Sequence, residues 1–445
     1  MGTLLTFQPG DVGYEESRRV HNGMIDRRPA IVARPRTAPE VAEAVQLARA
    51  EDLPLSVRGG GHSIAGRAVV DGGLMIDLSA MREVEVDPVR RVATVEGGAT
   101  WREVNDATSA HGLATTGGVI STTGVGGLTL GGGLGWLMGC HGLAVDNLLS
   151  VELVTAEGEI LEASEASHPD LFWALRGGGG NFGVASRFSF RLHPLDGIVG
   201  GLVAYPFAAA RELFALVGEL MDSAPDDLAL MPLLVHAPDG SGTPLAAVAV
   251  CHAGDPSRAE RDLAPLLAFG SPLVRQVGPM TYPALNMMLD DGFPAGAHYY
   301  WKSSFSAVLS ESVVDLLVEL FPGCPSPMSG VAIEHFHGAV TRVPIEATAV
   351  PHRTPSIDIL IAGVWRDPAA SEANVAWVRE TYAALRPHLL DRRYVNYFSA
   401  DDDAARAAFG PNYERLVEVK RRYDPENVFR ANQPITVAGG GPQPG

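Results

Sequence analysis

The chain of 445 residues carries 34 Lys+Arg against 52 Asp+Glu, a formal net charge of −18 at pH 7. Hydrophobic residues make up 46% and charged residues 19%, which excludes an intrinsically disordered chain and leaves material for two or three domains. This acidity, with no basic cluster, argues against nucleic acid or an anionic membrane as partner. Three cysteines, Cys140, Cys251 and Cys324, are too few for a disulfide framework and too isolated for a C-x-x-C metal site. No stretch reaches the ~18 apolar residues of a membrane span, and Met1–Gly10 lacks a secretory pattern. The expected location is the cytoplasm.

Along the chain, Thr37-Ala38-Pro39-Glu40 reads as a capping box, with Val41, Val45, Leu47 and Ala48 following at helical spacing. Leu53–Val57, Leu74–Leu78 and Val92–Glu96 read as strands. Thr100-Trp101-Arg102-Glu103 opens a helix that Gly112 closes. Leu148–Thr155 and Glu159–Glu162 form a hairpin, Asp170–Leu175 a short helix and Val184–Leu192 an alternating strand. After Pro194 the glycine clusters thin out. A helix over Ala208–Met221 and a strand over Leu245–His252 belong to this different middle. Tyr413–Arg422 is a last helix, turning at Asp424-Pro425-Glu426-Asn427, and the Gly/Pro-rich Ala438–Gly445 is a loose tail.

Three glycine-rich loops fall in the first half: Arg58-Gly59-Gly60-Gly61-His62-Ser63, the segment Gly117–Gly135, and Arg176-Gly177-Gly178-Gly179-Gly180-Asn181-Phe182-Gly183. Glycine lets backbone approach a ligand closely, and successive amides form nests for phosphate oxygens. One such loop reads as a tight turn. Three together point to a ligand with a pyrophosphate and flat rings. Gly131-Gly132-Gly133-Leu134-Gly135 does not satisfy G-x-G-x-x-G between a strand and a long helix, and no Walker A motif is present. His62, flanked by glycines and a serine, has little packing to do and suits a ligand ring.

These segments resemble the berberine bridge enzyme-like oxidases, in the vanillyl alcohol oxidase class of FAD proteins with a PCMH-type FAD-binding domain. The likeness is carried by the His62 loop with Asp77-Leu78-Ser79, and by Gly124-Val125-Gly126-Gly127 with Gly131–Trp136. His141–Asn147, Asp170–Gly179 with Asn181-Phe182-Gly183, Tyr394-Val395-Asn396-Tyr397 and Asp424–Arg430 agree with it. The resemblance implies an α+β fold of two lobes. Residues 28–197 would be the FAD-binding domain, 198–400 a substrate domain with an antiparallel sheet flanked by helices, and 401–437 a segment returning to the FAD domain.

It further implies FAD held by Arg58, Gly59, Gly60, Gly61, His62, Ser63, Gly118, Thr122, Thr123, Gly124, Gly127, Leu128, Gly131, Gly132, Gly135, Asn181, Gly183, Val184 and Asn396, with His62 bonded to the flavin 8α-methyl. Many members add a cysteine link four residues before the G-x-G-G. Ile120 stands there, so a single link is expected, which favours a smaller or more enclosed substrate. The residue before Gly124 lines the family's oxygen pocket, where small valine goes with oxidases; Thr123 is close to it in shape, which favours an oxidase using O2. A flavin dehydrogenase of secondary metabolism with poor O2 turnover is the alternative. The implied chemistry removes a hydride from a C–H next to O or N of a small molecule, and needs a base. Tyr394 and Tyr397, read as one strand, are candidates, with Lys302 as a cation to assist. Glu334 and His337 in Ile333–Gly338 are further candidates. His335 and His337 at i, i+2 have no evident third metal ligand, so no metal site is expected. Pro351-His352-Arg353 matches a recurrent segment and reads as structural.

Overall fold

The computed structural model describes residues 4–402, 405–432 and 435; the tail Ala438–Gly445 and the last residues of the 401–437 segment lie outside them. Strands β1 (Leu5–Phe7), β2 (Ile31–Arg34), β3 (Leu55–Arg58) and β4 (Leu74–Asp77) form a sheet in the order β1-β2-β4-β3, parallel except for the β1–β2 pair. The helix Ala38–Ala50 covers it with Val41, Ala44, Val45 and Ala48. Thr37 caps this helix by accepting from the Glu40 amide, but the Glu40 carboxylate accepts from the amide of Arg36 rather than that of Thr37. The strand begins at Leu55, two residues later than its apolar pattern suggests, because Pro54 offers no N–H to a ladder.

A second, antiparallel sheet joins β5 (Val84–Asp87), β6 (Val92–Glu96), β8 (Leu148–Val154), β9 (Ile160–Ser164) and β10 (Val184–Arg191) in the order β5-β6-β10-β8-β9. The short β7 (Leu113–Ala114) pairs with β11 (His193–Pro194) at its margin. Phe188 and Phe190 of β10 pack with Trp101 and Val104 of the helix Trp101–Ser109, at whose start Glu103 reaches back and accepts from the Thr100 amide and hydroxyl at 2.8 and 3.0 Å. The C-terminal helix Tyr413–Tyr423 returns to this core through Leu416 and Val417. Fully buried Lys420 on that helix donates to Asp424 and to the Asn181 carbonyl, each at 2.6 Å, and to the Phe429 carbonyl. An unpaired ammonium there would carry a heavy desolvation cost, so the three acceptors fix the chain end against the third glycine loop.

The third sheet is antiparallel, seven strands in the order β15-β12-β14-β13-β17-β18-β16. They are β12 (Ile198–Pro206), β13 (Leu228–His236), β14 (Pro244–His252), β15 (Val274–Met280), β16 (His298–Ser306), β17 (Gly330–Phe336) and β18 (Ser356–Trp365). One face carries Val203, Leu230, Val248, Ile333 and Ile359 against the helices Ala210–Asp222, Glu311–Leu320 and Ser371–Leu385. The alternate residues turn toward the first two sheets, as the period of two requires. Antiparallel sheets flanked by helices, beside the small parallel sheet, make the α+β fold expected. Among the described residues no helix is long and apolar enough to cross a membrane.

Candidate active site

Between the seven-stranded sheet and the first two sheets lies a cavity of about 1050 Å³. Its N-terminal wall contains Gly59, Gly60, Gly61, His62, Ser63, Thr123, Gly124, Gly127, Leu128, Gly131 and Gly183, with Asn396 and Ile120 also exposed to it. The His62 loop and the Gly124 loop touch backbone to backbone. A Cβ on Gly124 would fall 2.2 Å from the Gly60 nitrogen, and one on Gly60 would fall 2.5 Å from the Gly124 Cα. Only glycine allows that approach. His62 stacks on His21, with ring centroids 3.9 Å apart. Burial, then the neighbouring His21, holds the His62 pKa well below its ordinary value, so the imidazole is neutral.

Seven residues expected in the cofactor wall stand behind it. Arg58 pairs with buried Asp77 at 2.8 Å and donates to the Arg19 carbonyl. Asn181 donates to the Gly178 carbonyl, and Val184 belongs to the core beneath the first sheet. Gly118, Thr122, Gly132 and Gly135 shape the loop without lining the cavity. The wall instead includes His21, Arg67, Gly180, Ala185 and Asn432. Nothing in the local sequence around His21 marks it. Asn432 donates to the Gly180 carbonyl and accepts at its own carbonyl from Arg67.

On the opposite wall the Tyr394–Tyr397 segment is not a strand. Val395–Tyr397 is one tight 3-10 turn, so the two tyrosines, which a strand would send to opposite faces, come together with ring centroids 5.1 Å apart. The Tyr394 hydroxyl accepts from the amides of Gly133 and Leu134 and from Asn396 Nδ2, at 2.9, 3.2 and 3.0 Å. It thus anchors the glycine loop. Asn396 Nδ2 also donates to the Leu128 carbonyl. Tyr397 donates to Glu334 at 2.8 Å, and both line the cavity. The other carboxyl oxygen of Glu334 is buried without a partner among the described residues. Asp358 of β18 stands directly across from Glu334 of β17 in the ladder. Burial first, then the adjacent carboxyl, raises the Glu334 pKa well above the usual carboxylate range, and burial raises that of Asp358. Burial and then Glu334 push the Tyr397 pKa up as well. Asp358 escaped the sequence reading, although a lone acid inside the run Ser356–Trp365, buried throughout, is a visible signal.

Two candidates fall away from the cavity. Lys302 lies on the face of β16 opposite Trp301, where its ammonium meets Asp402 at 2.7 Å and Asp401 at 2.9 Å. Its pKa is raised, because those contacts outweigh burial. It does not assist a tyrosine in the cavity. His337 leaves β17 after Phe336, and its ring stacks on His335 at 4.1 Å with Nε2 3.3 Å from the Pro225 carbonyl. The stacked rings do not converge as chelating ligands. Among the described residues, Asp227, His252 and Asp262 come together elsewhere. There the His252 Nδ1 accepts from the Gly254 amide, which leaves the proton on Nε2 facing Asp262 at 3.0 Å. Arg353, by contrast, is structural as its segment suggested: it forms a buried two-pronged pair with Asp146 at 2.7 and 2.8 Å.

The N-terminal wall suits FAD on its own geometry. Gly127 faces the cavity, and a Cβ there would meet no protein atom within 4 Å; with its neighbours it forms a bare-backbone cradle that a side chain would fill. A neutral His62 stands at the end of the same wall. Comparison with known proteins agrees. An FAD binding domain model matches residues 29–164, and a berberine and berberine-like model matches residues 393–436. The (R)-6-hydroxynicotine oxidase of Paenarthrobacter nicotinovorans is 30% identical, over 97% of this chain and 96% of that protein. An FAD-linked oxidoreductase of Dictyostelium discoideum is 28% identical, over 97% and 94%. The crystal structure of 6-hydroxy-D-nicotine oxidase from Arthrobacter nicotinovorans superposes with a TM-score of 0.88 at 28% identity, covering 97% of this chain and 98% of that one. A berberine bridge enzyme variant shares the fold, with a TM-score of 0.87 at 22% identity over 99% and 97%. The chain belongs to the berberine bridge enzyme-like family of FAD-linked oxidoreductases.

Proposed function

We propose that this protein oxidises a C–H bond next to the hydroxyl or amine of a small molecule, with FAD covalently held through His62 alone and O2 as the final electron acceptor. The observation that carries this reading is the hydrogen-bonded Tyr397–Glu334 pair in the cavity that His62 also lines, with Asp358 across the ladder from Glu334. Bound FAD supplies hydride acceptance at N5 and returns electrons to O2. The chain's own residues handle the proton. The Tyr397 oxygen takes it from the substrate hydroxyl or amine while Tyr397 passes its own to ionised Glu334. Both side chains are already within hydrogen-bond reach. The paired carboxyls keep Glu334 basic enough to accept it. Ile120 lines the cavity at the position of the family's second link, which supports one attachment. Thr123 on the same wall supports O2 use through its valine-like shape, and its hydroxyl favours the slower alternative.

Two measurements test this. Acid-precipitated wild-type protein is expected to stay yellow and His62→Ala to turn white; colour retained in the variant removes the link. After reduction by substrate without air, rapid mixing with oxygenated buffer is expected to restore the flavin spectrum fast. Slow recovery assigns the dehydrogenase alternative.

A further inference from the structure

We infer that the substrate is a predominantly apolar molecule bearing a single oxidisable alcohol or amine, and not a saccharide. This deepens the reading above and rests on it.

The sheet side of the cavity presents Leu202, Met231, Leu233, Leu245, Ala332 and Leu360, from five neighbouring strands. None of them offers a hydrogen bond. A saccharide carries hydroxyls on nearly every carbon, and each one stripped of water against such a face loses roughly tenfold in affinity. An apolar body gains there instead, because its own surface and that of the wall leave water together. The aliphatic face is not a by-product of a generally apolar core. It is the face turned toward the first two sheets, and the same strands carry a separate apolar core on their other side.

The aliphatic side chains outnumber the polar ones on this side: His236, Ser329 and Asp291 also line the cavity, and the remaining polar groups cluster at Tyr397. Tyr397 touches Glu334 through its hydroxyl, and its ring meets Trp301 edge to face at 5.7 Å. Glu334 is 4% exposed, and its second carboxyl oxygen has no partner among the described residues; nor has the Trp301 indole nitrogen. A buried polar atom without a partner marks a place where a ligand atom completes the bonding. Both flank Tyr397, so the substrate's polar end belongs there and its body on the aliphatic strands. Exposed Gln276 lies on the edge strand β15 and reaches the cavity from its rim, where it suits a polar substituent at the far end.

The test uses purified holoenzyme without oxygen. A panel of aryl-alkyl and alicyclic secondary alcohols and amines, and in parallel glucose, cellobiose and xylobiose, is titrated while flavin absorption is followed. The expected result is that members of the apolar panel shift or bleach the flavin at concentrations where no saccharide does. Leu360→Asn should weaken the best apolar compound about tenfold with flavin content unchanged. A saccharide that reduces the flavin more readily overturns the inference and leaves the oxidase reading standing, as does Leu360→Asn with unchanged apolar binding. Bound flavin that neither class reduces or perturbs overturns both.

Discussion

The imidazole of His62 lies nearly flat on that of His21, the planes inclined by 22°, and His21 in turn meets Tyr299 at 4.9 Å. Stacked rings exchange no proton directly, so His21 acts on His62 by fixing its plane. The expected outcome is that His21→Ala lowers the fraction of acid-stable flavin while His21→Phe, which keeps a flat ring, retains most of it. Absorbance of acid-precipitated protein reads this; equal incorporation in both variants removes the positioning role. At the other wall, Tyr397→Phe should cut kcat by about 10²–10⁴, the usual worth of a positioned acid or base, with flavin content intact. In the proposed relay Glu334 accepts the proton when ionised, and its pKa is raised by burial and Asp358, so kcat/KM should climb with pH above the ordinary carboxylate range. Glu334→Gln should flatten that climb, and a profile unchanged by the substitution sinks the relay. Tyr397 and Glu334 were legible from the sequence as candidates, but their contact was not, because they are joined only by the pairing of distant strands with a turn.

At the level of elements, local chemistry fixed boundaries well where a cap or a proline acts on its own neighbours. The helix start at Thr100 and the helix Tyr413–Tyr423 are cases. It failed where tertiary contacts override a pattern. Tyr394-Val395-Asn396-Tyr397 reads as a strand, yet the hydrogen bonds of Tyr394 and Asn396 to the Gly124–Gly135 region hold it as a turn. Strand alternation does put Trp301 and Lys302 on opposite faces, but which face meets the cavity depends on the helices that cover the other. The glycine loops give a paired test of element against cofactor. Gly124→Ala must push the His62 loop away from the Gly124 loop, whereas Gly127→Ala meets no protein atom and intrudes only on the cavity. Gly124→Ala should therefore lower both melting temperature and FAD content. Gly127→Ala should leave the apoprotein's melting temperature unchanged and lower FAD content alone. Thermal melts with flavin quantification separate these, and full FAD content in Gly127→Ala would remove the cradle from the cofactor's path.

Across the whole molecule, the first two sheets and the seven-stranded sheet meet over the cavity, so groups that line it or brace it lose water in the folded state. That was beyond the sequence, since burial at an interface between lobes leaves no periodic trace. It has a consequence for stability against pH. Burial lowers the pKa of His21 to about 4, and of His335 and His352 to about 3. In the unfolded chain each takes a proton near 6.5. Their contribution is fully present above that value and is lost as pH falls toward the folded values, with a slope of up to about 1.4 kcal/mol per pH unit for each. Glu334 and Asp358 work the other way. Their raised values contribute stability that is complete below the ordinary carboxylate range and lost as pH rises through the folded values. These three histidines, with His62 and His193 lowered by burial in the same way, outweigh the two carboxyls between pH 6.5 and 4.5, so the melting temperature of the holoprotein should fall as pH is lowered across that window. His352 donates through Nε2 to the Arg393 carbonyl at 2.8 Å. Replacing it by Gln keeps a donor and removes one titrating group, so His352→Gln should make the decline shallower by up to about 1.4 kcal/mol per pH unit. Calorimetric melts of both proteins from pH 7 to 4.5 measure it, and a melting temperature that rises on acidification would show that the carboxyl pair, not the histidines, governs the acid limb.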